Sequence, residues 1–301
     1  MIKTSIVVGS DGQDGKIISN KLKAKKHKVI EINKNNLNIC DYNEVKNLIL
    51  KTKPNYIFYF AAFHHSSDEK NLNNNKIIND SLLVNFISPN LFLKCIYKYH
   101  NKCKFFFSSS SLIFKNSNKR HNEKSEIYPR EIYSIAKAST MGNCDYYREN
   151  LNIFVNVGIF YNHESEYRKN NFLSKKIVKS AINNYKGSKK KLKIANLMAK
   201  IDWGSAHDFM DAVISLQNLK TSGNYIVSTG KTYSILDFVK IAYNYLNLDY
   251  NKFVTQVKNI LFRNENYRCG NPKKLIEATG WRPKTTFKKM IENMIDYELK
   301  L

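Results

Sequence analysis

This 301-residue sequence predicts a doubly wound α/β fold, in which a parallel sheet carries helices on both faces and a smaller lobe follows toward the C-terminus. Three observations carry that prediction. Through the first half of the chain, short apolar runs rich in β-branched and aromatic residues alternate with segments of helical periodicity. The strands read as continuous apolar runs, the pattern of a sheet buried on both faces. The first strand also runs directly into three glycines and a helix.

Taken in order, Thr4–Val8 is a strand, and Lys16 to about Lys26 a helix. Lys28–Ile32 is a second strand, followed by a helix near Tyr42–Lys51 and a strand over Tyr56–Ala62. One long helix is expected over Ile78–Tyr99, then a strand over Lys104–Ser109, a helix from Tyr133 to Asn150 and a buried strand over Ile153–Phe160. After Asn162 polar loops interrupt the pattern, notably 164–171 and 186–200. Strand and helix signals return at Tyr225–Thr229 and Ile235–Leu246, and an amphipathic helix spans Thr286–Leu299. The chain therefore divides into a sheet domain over 1–162 with returns near 202–245, and a lobe over 163–200 and 246–301. No Pro- or Gly-rich linker separates the two parts.

Charge excludes less than its size suggests. Forty-nine basic against 25 acidic residues give +24, a surplus that attracts anionic partners. Lysine is nevertheless spread through the whole chain together with Asn and Ile, as solvated faces require. The densest cluster, Lys189–Lys191 with Lys186 and Lys193, has no interleaved aromatic residues on which bases would stack. Nucleic acid is not an expected partner. The longest apolar run, Tyr56–Phe63, is eight residues, against about 20 for a membrane span, and the N-terminus lacks the apolar core of a secretory signal. Five cysteines, an odd number with no CxxC pair, argue against a disulfide framework or a metal site and fit the cytoplasm.

The chemistry begins at Gly9, Gly12 and Gly15, spaced GxxGxxG between strand and helix. Glycines there let backbone approach a pyrophosphate, and the helix N-terminus supplies amide donors, so the segment reads as the phosphate loop of a Rossmann-type dinucleotide site. The second strand ends in Asn33 and Lys34, with no acid following to hold a ribose diol. Lys34 suits a 2′-phosphate, so NADP is expected over NAD. Tyr133 and Lys137 form YxxxK on one helix face. A lysine ammonium beside a phenol lowers the phenol's pKa, so the tyrosine can pass a proton while hydride moves to or from a nicotinamide. The preceding strand ends in Ser108–Ser111, which offers a hydroxyl to the same oxygen.

These motifs resemble the extended short-chain dehydrogenase/reductases that act on nucleotide sugars, and among them the GDP-mannose 4,6-dehydratases. The matching stretches are Gly9–Gly15, Tyr128–Lys137, Gly158–Ser165, Asp202–Asp208, Tyr225–Gly230 and Gly280–Pro283. The resemblance implies that Gly9, Gly12 and Gly15, with the intervening Gln13 and Asp14, hold the cofactor pyrophosphate. It places Ala61 and Ala62 beside the nicotinamide, and makes Ser110, Tyr133 and Lys137 the catalytic set. It assigns Asn162, Lys176 and Arg263 to a GDP-sugar, and the two long helices Ile78–Tyr99 and Tyr133–Asn150 to contact with a second copy in a homodimer or higher oligomer.

The departures are specific. The dehydratases carry a glutamate two residues after the strand-tip hydroxyl, which takes the C5 proton; the matching position here is Leu112, which cannot act as a base. Glu131 is the nearest substitute in sequence. The family's basic residue before Asp-Trp-Gly is Ile201, and the longer Arg- and Ser-bearing segment after the second strand is absent. The resemblance then implies a GDP-4-keto-6-deoxyhexose reductase. A dehydratase with a relocated base, or a C4 epimerase or dehydrogenase, stands second, and a non-catalytic NADP sensor or nucleic-acid binder is the competing class. His64 and His65, after the third strand, border the same region and read as loop-shaping residues; His163 reads as a satisfied structural histidine.

Overall fold

A computed structural model describes residues 2–64, 75–257 and 267–300. The strands are β1 (Thr4–Val8), β2 (Lys28–Ile32), β3 (Tyr56–Tyr59), β4 (Lys104–Ser110), β5 (Val155–Phe160), β6 (Asn162–Glu164), β7 (Leu192–Ile194), β8 (Lys200–Ser205), β9 (Asn224–Val227), β10 (Thr232–Ser234), β11 (Val254–Gln256) and β12 (Tyr267–Arg268). The helices are α1 (Gln13–Ala24), α2 (Tyr42–Thr52), α3 (Asn75–Leu82), α4 (Ser88–Tyr99), α5 (Ile132–Leu151), α6 (Leu173–Tyr185), α7 (Ala206–Gln217), α8 (Ile235–Tyr245), α9 (Lys273–Thr279) and α10 (Phe287–Leu299).

The main sheet is parallel throughout, in the order β2-β1-β3-β4-β5-β9. Side chains alternate across it with the two-residue period of a strand. Ile6, Val8, Ile57, Tyr59, Phe105 and Phe107 enter one apolar layer with residues of α2, α4 and α5. Val7, Phe58 and Phe106 enter the opposite layer with residues of α1 and α7. Because both faces are covered, the strand sequences carry no polar alternation. The expected Rossmann-type α/β fold is the one observed.

The lobe has its own apolar core from α6, α8 and α10, with Trp203 of β8. The return to the sheet domain is narrower than 202–245. Only α7 and β9 rejoin it, whereas β8 pairs β6, β10 and β12, and α8 packs in the lobe. Conversely, Leu275 of α9 and Trp281 pack against the sheet layer.

The single helix expected over Ile78–Tyr99 is interrupted by a π-helical turn, Leu83–Ile87. Pro89 has no amide to donate to the carbonyl of Asn85, and an open carbonyl of this kind accommodates a widened turn. The Thr140 hydroxyl donates to that carbonyl at 2.7 Å. Among the described residues, no helix is long and apolar enough to cross a membrane.

Candidate active site

The glycine loop is held by close backbone packing. Gly9 has φ +88°, and a Cβ there would stand 2.6 Å from the Ala61 amide nitrogen, a conformation and clearance only glycine meets. A Cβ on Gly15 would stand 2.3 Å from the Gly9 carbonyl oxygen. The Gly9 and Ser10 amides donate to the Ile32 carbonyl at 2.9 and 3.1 Å, fixing the loop to the end of β2. Gly12 is the N-cap of α1, and no side chain caps that helix. Its first-turn amides therefore open toward the loop, as an anion requires. The side chains of Gln13 and Asp14 turn away into the fold: Gln13 Nε2 donates to the His163 carbonyl at 3.0 Å, and Asp14 pairs with His163 Nε2 at 3.0 Å.

At the next two strand tips, β3 leads into Ala61 and Ala62, and β4 ends at Ser110. The Ser110 hydroxyl accepts the Leu112 amide at 3.2 Å. Tyr133 and Lys137 lie one turn apart at the start of α5. Lys137 is buried beneath the phenol, its Nζ 5.7 Å from the Tyr133 ring centroid and 4.7 Å from that of Phe107. It donates to the Ser108 carbonyl at 2.8 Å. Burial drives its ammonium down to about 7, although the nearby Asp14 charge acts to restore it.

That burial has a testable consequence for stability. The unfolded ammonium titrates at 10.5, so between about pH 7 and 10.5 the unfolded chain binds more protons at this position, and stability rises with pH. Lys137→Met removes the burden of burying a charge. Its melting temperature is expected to exceed the wild type's by a few °C at pH 6, with the margin shrinking toward pH 10. An equal margin at every pH would contradict a lysine destabilised by burial of its charge.

A family model described as GDP-mannose 4,6 dehydratase matches residues 31–294. The chain belongs to this family. Among curated relatives, GDP-mannose 4,6 dehydratase 2 of Arabidopsis thaliana is 29% identical over 201 residues, covering 66% of this chain and 53% of the plant protein. The chain thus spans about half the length of the curated relatives it matches. Among solved structures, RMD from Pseudomonas aeruginosa complexed with NADPH superposes with a TM-score of 0.87 at 17% identity, over 99% of this chain and 100% of that one. The dTDP-glucose 4,6-dehydratase of Bacillus anthracis in complex with NAD gives 0.83 at 18%, over 99% and 97%. At those identities the superpositions speak for the fold alone.

Against the dehydratase pattern, the surroundings of the Ser-Tyr-Lys set are distinctive. Leu112 is half-buried next to Ser110. Glu131, two residues before Tyr133, forms a reciprocal capping box with Ser134 at the start of α5, a tie that orients it to the helix N-terminus. His64 meets the Tyr133 ring edge-to-face at 4.6 Å and stacks on Phe172 at 5.9 Å. The Arg168 guanidinium lies 4.5 Å from the Phe172 centroid and pairs with buried Glu164. Asn85, set inward by the π turn, accepts the Phe63 amide at 3.2 Å and donates to the Phe63 carbonyl at 2.8 Å, clamping the loop that carries His64.

Asn162 and Lys176 lie on β6 and at the start of α6, each half-buried. Asn33 and Lys34 lie at the tip of β2. Arg263 and His65 lie outside the described residues. His163 sets its two ring nitrogens against the Tyr161 carbonyl at 2.7 Å and Asp14 at 3.0 Å. Burial alone would raise the Asp14 carboxyl, but His163 and Arg168 outweigh it and hold it below the usual range. Sequence reasoning missed the contacts of Asn85, Phe172 and Arg168. The signal available for Asn85 was Pro89, four residues on.

Proposed function

We propose that the protein is a nicotinamide-dependent reductase that delivers hydride to the C4 ketone of a GDP-4-keto-6-deoxyhexose. The observation that carries this reading is the composition of the site beside Ser110. Ser110, Tyr133 and Lys137 supply what carbonyl reduction needs, while the position of the dehydratase glutamate is Leu112 and the nearest carboxylate in sequence, Glu131, stands at the N-cap of α5.

The residues present fit a dinucleotide. The uncapped first turn of α1, and a loop that a Cβ at Gly9 or Gly15 would fill, are suited to a pyrophosphate. When bound, the dinucleotide supplies the hydride. Gly9, Gly12 and Gly15, with the backbone amides of Gln13 and Asp14, would hold its phosphates, and Ala61 and Ala62 would border the nicotinamide. Lys34 at the β2 tip favours the NADP(H) form, in line with the NADPH of the Pseudomonas structure. Ser110 orients the sugar carbonyl by hydrogen bonding, and Tyr133 gives its phenolic proton to the C4 oxygen. Lys137 stabilises the phenolate left behind. Asn162 and Lys176, with Arg263, would hold the GDP-sugar.

A GDP-mannose 4,6-dehydratase is the second reading, favoured by the family match itself. Self-association through the π turn, α4 and α5 accompanies either, since Leu83, Ile87, Tyr97, Ile135 and Tyr146 are exposed there. The test pairs two incubations. GDP-4-keto-6-deoxymannose with reduced cofactor is expected to consume it stoichiometrically, and GDP-mannose with oxidised cofactor to yield no keto sugar. Keto sugar formed from GDP-mannose without net cofactor change would establish the dehydratase instead.

A further inference from the structure

The tip of β2 is where an adenosine ribose is read in folds of this kind: a carboxylate accepts from the 2′- and 3′-hydroxyls, or a cation accommodates a 2′-phosphate. The sequence after β2 offers only Lys34 for either task. The folded chain brings a second charge there from the glycine loop. The Asp11 carboxylate accepts the Asn33 side-chain amide at 3.2 Å. The loop bearing it is locked to the end of β2 by the Gly9 and Ser10 amides on the Ile32 carbonyl.

Several other donors at the tip already have partners. The Asn33 amide is bound by Asn36 Oδ1 at 2.9 Å, the Asn35 amide by Asn33 Oδ1 at 2.9 Å, and Asn36 Nδ2 by the Glu31 carbonyl at 2.8 Å. A 2′-phosphate would thus meet the exposed Lys34 ammonium together with the Asp11 carboxylate. A free ribose diol, which donates, would find Asp11 as an acceptor.

We infer that Asp11 is a cofactor-selecting residue that replaces from the glycine loop the acid missing after β2, opposes Lys34, and keeps NAD(H) and NADP(H) within about tenfold of one another in affinity. This rests on the reading that the glycine loop holds a nicotinamide dinucleotide.

The experiment is a fluorescence titration of the purified chain with NADH and with NADPH, for wild type, Asp11→Asn and Lys34→Ala. Asp11→Asn keeps an oxygen that accepts from Asn33 and removes only the charge. It is expected to shift the ratio of the two Kd values roughly tenfold toward NADPH, the effect of about 1.4 kcal/mol. Lys34→Ala is expected to shift the ratio the other way. Both dinucleotides binding with a ratio unchanged by Asp11→Asn, or a wild-type preference for NADPH well beyond tenfold, would overturn the role of Asp11 and leave the dinucleotide reading standing. Failure of wild type to bind either dinucleotide would overturn both.

Discussion

Tyr133→Phe is expected to lower turnover with the keto sugar about a thousandfold and to leave the Kd for reduced dinucleotide within about twofold of wild type. The substitution removes one oxygen and keeps the ring that His64 meets at 4.6 Å and Lys137 underlies at 5.7 Å. Packing of α5 and the position of Lys137 are therefore preserved, while the proton destined for the C4 oxygen is gone. General acid catalysis contributes roughly 10²–10⁴-fold, which sets the expected loss. Stopped-flow or steady-state absorbance at the nicotinamide band reads turnover, and fluorescence titration reads binding. Activity within tenfold of wild type would remove Tyr133 from the proton transfer, and loss of binding alongside turnover would make it a structural residue.

Gly15→Ala should cost both stability and dinucleotide binding. The added methyl would stand 2.3 Å from the Gly9 carbonyl oxygen and 2.7 Å from the Ser10 Cα, so backbone rather than a movable side chain must give way. Alanine gains roughly 1 kcal/mol in intrinsic helix propensity, but overpacking costs about 1–3 kcal/mol, and the displaced segment is the one that aims the α1 amides. A net loss of up to about 2 kcal/mol and at least a tenfold weaker Kd are expected. Gly142→Ala is the control. It lies within α5 with nothing within 4 Å of its added Cβ, and should stabilise the protein by about 0.5–1 kcal/mol. If Gly15→Ala behaves like Gly142→Ala in melting temperature and binding, the loop is not packed as described.

The sheet domain was legible because its strands bury both faces, so each appears in the sequence as an apolar run that ends at a turn. The same rule hid the lobe. β6, β7 and β10 are three residues each, and β12 is two, too short for periodicity to register. Helix α7 lay outside the predicted elements although His207, Asp211 and Ser215 recur every four residues on its less buried face. The π turn was missed because a proline in a helical pattern frees the carbonyl four residues before it whether or not that turn widens.

At the candidate site, Gly9, Gly12, Gly15, Ser110, Tyr133 and Lys137 could be picked out because glycine clearance and the four-residue helical step are local rules. Asp11 illustrates what is not local. It precedes Gly12 in sequence and reads as a loop residue, yet the bonds from Gly9 and Ser10 to Ile32 bring it to Asn33, 22 residues on. Glu131 is the converse case: close to Tyr133 in sequence, but turned to the helix it caps.

The most direct test of the central claim is to follow a label. Dinucleotide carrying deuterium at the transferring position of the nicotinamide is incubated with the protein and GDP-4-keto-6-deoxymannose, and the sugar product is read by NMR. Deuterium on C4, one atom per cofactor oxidised, is the predicted result. A product with no deuterium at C4, or a keto sugar that exchanges its C5 proton with solvent while the cofactor stays reduced, would contradict hydride delivery to that carbon.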